Sequence, residues 1–153
     1  MTRLKKSLRP KEVYIPDFPL GIGLVEFESI RHAKLARLLL NAVYRDGGGE
    51  ILEFETWWKA LIADDEYDPA LCFVAEDSDG VLVGFAHCWA TGFVKDIAVT
   101  PECRRRGLGK ALMVSIFEAF QSRGLPAVEL KIDPKNPHGV DAFYLSLGME
   151  LAS

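Results

Sequence analysis

Apolar and polar residues follow two different periods along this chain, and the periods separate strands from helices. Strand-like apolar runs predict strands at residues 22–28, 71–76, 81–90, 93–99 and 127–132. A repeat near 3.6 residues predicts helices with one buried face at residues 29–44, 52–63 and 108–123. Ser29 is the expected N-cap of the first helix.

The connections between these elements predict how the strands pair. Residues 77–80 read Asp-Ser-Asp-Gly, and Thr91-Gly92 follows the next strand, so both connections are tight turns. Three strands on short connections form an antiparallel meander. The helix at residues 108–123 joins the last of them to strand 127–132, and a helical crossover makes these two strands parallel. The prediction is a mixed, twisted sheet with helices on both faces.

An arginine-rich turn between strand 93–99 and the next helix predicts an anion site. Helix N-termini expose free N–H groups and carry roughly half a positive charge from the helix dipole. Arg104, Arg105 and Arg106 lie on the turn, and Lys110 follows in the first helical turn. Adjacent cations oppose the dipole unless an anion binds there, which favours a phosphate site over a merely solvated turn.

The spacing of the glycines narrows the identity of this anion. A P-loop needs Ser or Thr after Gly-Lys, whereas Ala111 follows Gly109-Lys110. A dinucleotide fingerprint needs a small residue where Leu112 stands. The remaining pattern is R-x-x-G-x-G, formed by Arg104, Gly107 and Gly109.

This pattern resembles the acetyl-CoA pyrophosphate loop of the GNAT superfamily of N-acetyltransferases, and the resemblance covers residues 81–149. The preceding stretch DIAVTPECRRRG resembles the family's central strand and loop. The later parts follow in the family's order, namely VELKI at residues 128–132, Asn136, Phe143-Tyr144 and Leu147-Gly148-Met149.

The resemblance implies the GNAT fold, an α/β (α+β) architecture in which two parallel strands splay apart to admit the pantetheine arm of acetyl-CoA (coenzyme A). The V would open between residues 97–99 and 132–133. Asn136 stands eight residues before Tyr144 instead of the family's usual seven. The family role therefore carries over to Asn136 less directly than to Tyr144. The implied cofactor-binding residues are Ile97, Ala98, Val99, Arg104, Arg105, Arg106, Gly107, Leu108, Gly109, Lys110, Ala111 and Asn136.

The resemblance also implies catalytic residues. Tyr144 matches the family's general acid, since a phenol can protonate the leaving thiolate. Asp96 resembles an acidic position that accepts a proton from the amine or binds a cationic acceptor. The general base is left open between Asp96, His87 and water. His87 shares a strand face with Phe85 and Trp89, so it is expected to be a packed core residue more than a base.

Composition indicates an ordinary globular domain. The chain has 153 residues, a net charge of −4 and three cysteines without metal-ligand spacing, so no metal site is predicted. The acidic balance argues against general nucleic-acid binding, and no apolar run reaches the ~20 residues of a membrane span. Free cysteines and the lack of a secretory signal favour a cytoplasmic protein.

Both ends of the chain depart from the family pattern. We expect residues 1–20 to form an N-terminal arm or an extra edge strand, with residues 1–12 as a mobile basic arm, and residues 21–153 to form the acetyltransferase domain. Only four residues follow Met149, so the final C-terminal strand should be short or missing. An uncovered sheet edge is a liability. A strand from residues 12–15, or the second subunit of a homodimer, would cover it.

These observations lead to three functional hypotheses. The first is an N-acetyltransferase that moves an acetyl group from acetyl-CoA to a primary amine, on a small molecule or a peptide, by direct attack in a ternary complex. The second is a non-catalytic module that binds and senses acyl-CoA. The third, a nucleic-acid-binding domain built on the arginine turn, conflicts with the net charge and would show salt-dependent binding.

Overall fold

The computed structural model describes residues 1–133 and 140–152, except for the side chains of residues 140 and 141. Two 3₁₀ turns, at Pro69–Leu71 and Pro101–Cys103, accompany the main elements. In chain order the strands and helices are β1 Thr2–Ser7, β2 Ile22–Val25, α1 Ser29–Gly47, α2 Phe54–Ala63, β3 Cys72–Asp77, β4 Leu82–Trp89, β5 Phe93–Val99, α3 Leu108–Ser122, β6 Ala127–Ile132, α4 Val140–Ser146 and β7 Glu150–Leu151.

The strands form one mixed sheet in the order β2-β3-β4-β5-β6-β1-β7. Strand β4 pairs antiparallel with β3 on one side and with β5 on the other, which confirms the predicted meander. Strand β6 pairs parallel with β5 after the α3 crossover, as expected. The α/β architecture predicted from the sequence is therefore confirmed.

The parallel pair β5–β6 separates soon after it begins. Within these two fully described strands, Phe93 opposite Glu129 is the single residue pair in register. A backbone bond from Glu129 N to Gly92 O, of 2.9 Å, holds the strands together at this end. Beyond it they diverge, so the splayed pair that the family resemblance implied is present.

The far edge of β6 is covered by the start of the chain. Strand β1 pairs antiparallel with β6 along its whole length, from Thr2 opposite Ile132 to Ser7 opposite Ala127. The expectation of a mobile arm at residues 1–12 is therefore wrong, and so is the placement of a covering strand at residues 12–15. The final strand β7 is short, as predicted, and pairs with β1 through two residues.

Two hydrophobic cores lie on opposite faces of the sheet. Helix α3 buries one face against β4, β5 and β6, together with Leu8 and Tyr14 from the N-terminal segment. Helices α1 and α2 enclose the second core with residues such as Leu40 and Phe85. Gly84 permits the close packing of α3, since a Cβ there would meet Leu112 Cδ1 at 3.1 Å.

A β-bulge in β5 determines which face of the sheet the Asp96 side chain lies on. The register passes from His87 opposite Asp96 to Cys88 opposite Val94, so that Lys95 is left without a partner on β4. Because side chains alternate along a regular strand and the extra residue interrupts this alternation, Asp96 faces α1 while Val94 enters the α3 core.

Several element boundaries differ from the sequence expectation. Strand β2 ends at Val25, since the next residues lead into the helix. Helix α1 extends to Gly47, and its N-cap is Glu28, not Ser29. The Glu28 side chain does not cap this end, but its carbonyl accepts bonds from the N–H groups of Arg31 and His32, and its own N–H donates to His32 Nδ1 at 2.9 Å.

Within the described ranges, no helix has the length and apolar character needed to cross a membrane.

Candidate functional site

The open side of β5 provides unpaired backbone groups along the cleft between β5 and β6. Thr100 N donates to Val83 O at 2.9 Å, which makes these two residues a hydrogen-bonded pair of the antiparallel ladder. Hydrogen-bonded and non-bonded pairs alternate along such a ladder, so Ala98 also bonds to β4. Ile97 and Val99 direct their N–H and C=O groups away from β4, into the cleft.

The loop after β5 presents a second set of free donors at the N-terminus of α3. Arg105 has φ 62°, and the N-cap Gly107 has φ 91°, where a glycine is favoured. The first backbone bond of the helix runs from Ala111 N to Gly107 O at 3.0 Å. The N–H groups of residues 108–110 therefore have no acceptor within the helix, whereas the N–H of Ala111 is already used.

Four cations surround this helix N-terminus. Arg105, Arg106 and Lys110 are exposed, and Arg104 is half-buried. Within the described part of the chain, no ion pair involves any of the four, although other cations of the protein form such pairs. Uncompensated positive charge beside free N–H groups and the helix dipole is the arrangement that binds phosphate oxygens.

The loop and the cleft fit the two chemical parts of coenzyme A. The loop offers N–H donors and positive charge, which suit a pyrophosphate. The cleft offers the backbone of Ile97 and Val99, which suits an extended chain with amide groups. Gly109 lies between these parts, and a Cβ at this position would meet Phe143 Cζ at 3.4 Å.

Tyr144 lies on α4 and is buried, with 8% of its surface exposed. Burial raises the pKa of its phenol to about 12. The hydroxyl therefore keeps its proton at neutral pH and can act as a donor.

Asp96 has one specific side-chain partner among the described residues. The Tyr44 hydroxyl donates to Asp96 Oδ1 at 2.6 Å. Burial, followed by the charge of Asp96 and this hydrogen bond, raises the pKa of Tyr44 far above its ordinary value. Asp96 is itself 8% exposed, so this pair forms a partly desolvated polar group beside the cleft.

His87 lies directly across the ladder from Asp96 and is fully buried. Its ring packs edge-on against Trp89, with 4.5 Å between centroids. Burial lowers the pKa of His87 to about 4, although Asp96 opposes this shift. A neutral, enclosed imidazole matches the packed core residue that the sequence favoured over a base.

The sequence missed Tyr44 and Arg37. Arg37 is 2% exposed and donates from Nε to Asn41 Oδ1 at 2.9 Å. Arg37, Asn41 and Tyr44 follow helical spacing, so a polar stripe on a buried face was the available signal. Asn136 lies outside the described residues. The remaining predicted site residues gather at the cleft and at the start of α3.

The chain is similar to a known protein family and to several proteins of known activity or structure. The model of the acetyltransferase (GNAT) family matches residues 34–149. A mycothiol acetyltransferase from Thermomonospora curvata is 37% identical over 145 residues, which are 90% of this chain and 46% of the relative. One from Thermobispora bispora is 36% identical over 147 residues, or 87% of this chain and 48% of the relative.

A solved structure shows the same fold. The GCN5-related N-acetyltransferase from Sphaerobacter thermophilus superposes with a TM-score of 0.81 at 24% identity, covering 99% of this chain and 48% of that one. At this identity the likeness concerns the fold alone. The chain thus spans about half the length of the curated relatives that it matches.

Proposed function

The chain belongs to the acetyltransferase (GNAT) family, and we propose that it transfers an acetyl group from acetyl-CoA to a primary amine by direct attack in a ternary complex. The observation that carries this proposal is the open edge of β5 beside a helix N-terminus with four cations that form no ion pair among the described residues. Acetyl-CoA supplies an activated thioester, in which the new N–C bond replaces the C–S bond.

The cofactor is held by backbone groups more than by side chains. The N–H groups of residues 108–110 bind the pyrophosphate, with Arg104, Arg105, Arg106 and Lys110 as charge partners. The backbone of Ile97 and Val99 pairs with the pantetheine arm in place of a further strand. The Val99 N–H is also the best candidate to polarise the thioester carbonyl, as a single donor.

Asp96 and Tyr144 handle the protons. Asp96 takes a proton from the ammonium form of the acceptor, which leaves a neutral, nucleophilic amine. Tyr144 gives its proton to the departing thiolate. Because burial raises the pKa of Tyr144 to about 12, the phenol stays protonated and neutral until negative charge develops on the leaving sulfur.

The acceptor is a small molecule with a primary amine. The name of the two relatives, mycothiol acetyltransferase, supports a small-molecule acceptor over a protein. A buried carboxylate at the acceptor side favours a cationic nitrogen. A peptide amine is the second candidate.

Calorimetric titration with acetyl-CoA and with CoA tests the cofactor site. Arg106→Glu should weaken binding at least about tenfold, since it replaces a favourable charge with a repulsive one. Gly109→Trp should abolish it, because the new side chain fills the space beside Phe143. CoA release with a panel of small amines and a lysine peptide then tests transfer, and Tyr144→Phe should lower kcat without weakening CoA binding.

Matched controls separate the site from general effects. Lys59→Glu makes the same charge change on the exposed surface of α2. Gly23→Trp makes the same size change in β2, where a Cβ would meet nothing within 4 Å. Absent binding by the wild type, or equal losses in the controls, would contradict the proposal. Binding without turnover across the panel would support a non-catalytic acyl-CoA sensor instead.

A further inference from the structure

The hydrogen bond between Tyr44 and Asp96 joins two residues that lie far apart in the sequence. Its length of 2.6 Å is at the short end for an O–H···O bond, as expected when the acceptor is a carboxylate. The direction of the bond is fixed, because a carboxylate has no proton to give. Tyr44 therefore donates, and its raised pKa prevents it from acting as a base.

A buried guanidinium holds the Tyr44 ring in place. The Arg37 guanidinium carbon lies 5.8 Å from the centroid of the Tyr44 ring and 5.3 Å from that of Trp57. Arg37 Nη2 donates to the carbonyl of Glu50 at 3.1 Å, while its Nε donates to Asn41. All of these partners are on α1, on α2 or on the loop between them.

Asn41 attaches the α1–α2 loop to the same network. Its Nδ2 donates to Leu52 O at 2.8 Å, and its Oδ1 accepts from Leu52 N at 3.1 Å. Asn41 thus satisfies both the N–H and the C=O group of Leu52 on the loop. The α1–α2 loop is therefore connected through Arg37 and Tyr44 to the carboxylate of Asp96.

This network lies at the mouth of the cleft. Asp96 directly precedes Ile97, whose backbone faces the cleft. Gly48, at the end of α1, approaches β6, since a Cβ on it would lie 3.6 Å from Asp133 Oδ2. Charged and titratable groups face the pair from α1 itself and from two further elements, with Arg37 on α1, His87 on β4 and Tyr144 on α4.

We propose that Tyr44 is a positioning residue that fixes the Asp96 carboxylate through Oδ1 and leaves Oδ2 to receive the ammonium group of the acceptor. This inference rests on the proposed acetyl transfer and adds the group that orients its base. In the proton step, one N–H bond of the ammonium breaks and an O–H bond forms at Oδ2. Tyr44 keeps its own proton throughout, and Arg37 supplies the fixed positive charge behind the pair.

The NMR signal of the Asp96 carboxyl carbon at neutral pH tests the positioning role without turnover. Asp96→Asn assigns the signal by removing it. Tyr44→Phe deletes the short hydrogen bond to Oδ1, so the chemical shift of this carbon should change. Tyr14→Phe is the matched control, because Tyr14 packs against Phe117 on the opposite face of the sheet.

The pH profile of transfer gives the second measurement, with the best amine of the panel as acceptor. In Tyr44→Phe, kcat/KM for the amine should fall roughly 10- to 100-fold, and its acid limb should move to higher pH. Affinity for acetyl-CoA should stay unchanged. An unchanged chemical shift, or an unchanged acid limb, would overturn the inference. A changed chemical shift with no turnover on any amine would uphold the Tyr44–Asp96 pair and reject the acetyl-transfer proposal alone.

Discussion

At the scale of single residues, differences in burial give two facing polar residues of the candidate site different surroundings. His87 and Asp96 face each other across one ladder, yet their surroundings differ. His87 is enclosed by aromatic rings such as Trp89, which favour its neutral form. Asp96 receives a hydroxyl donor from Tyr44 and borders the cleft. Of these two candidates for the base, the carboxylate is therefore the one with both a hydrogen-bond partner and some exposed surface.

The enclosure of His87 predicts a specific loss of stability in acid. Its pKa is about 4 in the folded protein and 6.5 in the unfolded chain. Between these values the unfolded chain binds a proton that the folded protein does not, so stability falls as pH decreases through this window. The His87 contribution to this loss should reach roughly 3 kcal/mol at pH 4.

Urea unfolding of the wild type and of His87→Phe between pH 7 and pH 4 measures this contribution. The phenylalanine variant should lose less stability over the window, because it keeps an aromatic ring and removes the titrating group. Other acid-sensitive groups are common to both proteins and cancel in the difference. Parallel stability curves for the two proteins would show that His87 is not held neutral by the fold.

At the scale of elements, strand β1 completes the wall of the cleft that β6 forms. Its sequence, Thr-Arg-Leu-Lys-Lys-Ser, holds a single apolar residue, Leu4, which is 1% exposed. Most of its attachment comes from the backbone ladder with β6. The short strand β7 covers part of its outer edge, and the exposed Arg3 and Lys5 discourage pairing with other chains there.

Leu4 should therefore anchor both the strand and the wall of the cleft. Leu4→Ala should lower the free energy of unfolding by about 2–4 kcal/mol, since it removes a fully buried side chain. It should also weaken acetyl-CoA binding, because β6 loses a firm neighbour. Lys5→Ala, in the same strand but exposed, should change the free energy of unfolding by less than about 0.5 kcal/mol. Equal effects of the two substitutions in urea unfolding would refute this role.

At the scale of the whole molecule, charge is distributed unevenly. The chain carries a net charge of −4, yet four cations without ion pairs among the described residues gather at the start of α3. This local reversal of charge favours a phosphorylated ligand at the start of α3. A homodimer remains a prediction that sedimentation can test, although β1 already covers the edge that suggested it.

Salt should weaken binding of acetyl-CoA more than binding of acetyl-pantetheine. Raising NaCl from 50 mM to 500 mM shortens the Debye length and screens exposed charges, so affinity for acetyl-CoA should fall roughly tenfold. Acetyl-pantetheine lacks the pyrophosphate and should lose little affinity. Calorimetry at both salt concentrations makes the comparison, and equal losses for the two ligands would place the phosphates away from the arginine loop.

The sequence by itself determined the local parts of this protein. Helical periodicity gave α3, and the glycines and arginines before it gave the anion loop, since these signals lie within a few residues of each other. The meander followed from two tight turns. Asp96 and Tyr144 were predicted as catalytic residues from the family resemblance, because their motifs are also local.

Only the tertiary structure decided the long-range parts. Strand β1 forms because the open backbone of β6 accepts it, and its polar sequence carries almost no strand signal. The bulge at Lys95 turns Asp96 toward α1, and helix α1 then brings Tyr44 to it across 52 positions of sequence. Such contacts depend on register and packing between distant segments, which the periodicity of a single segment does not contain.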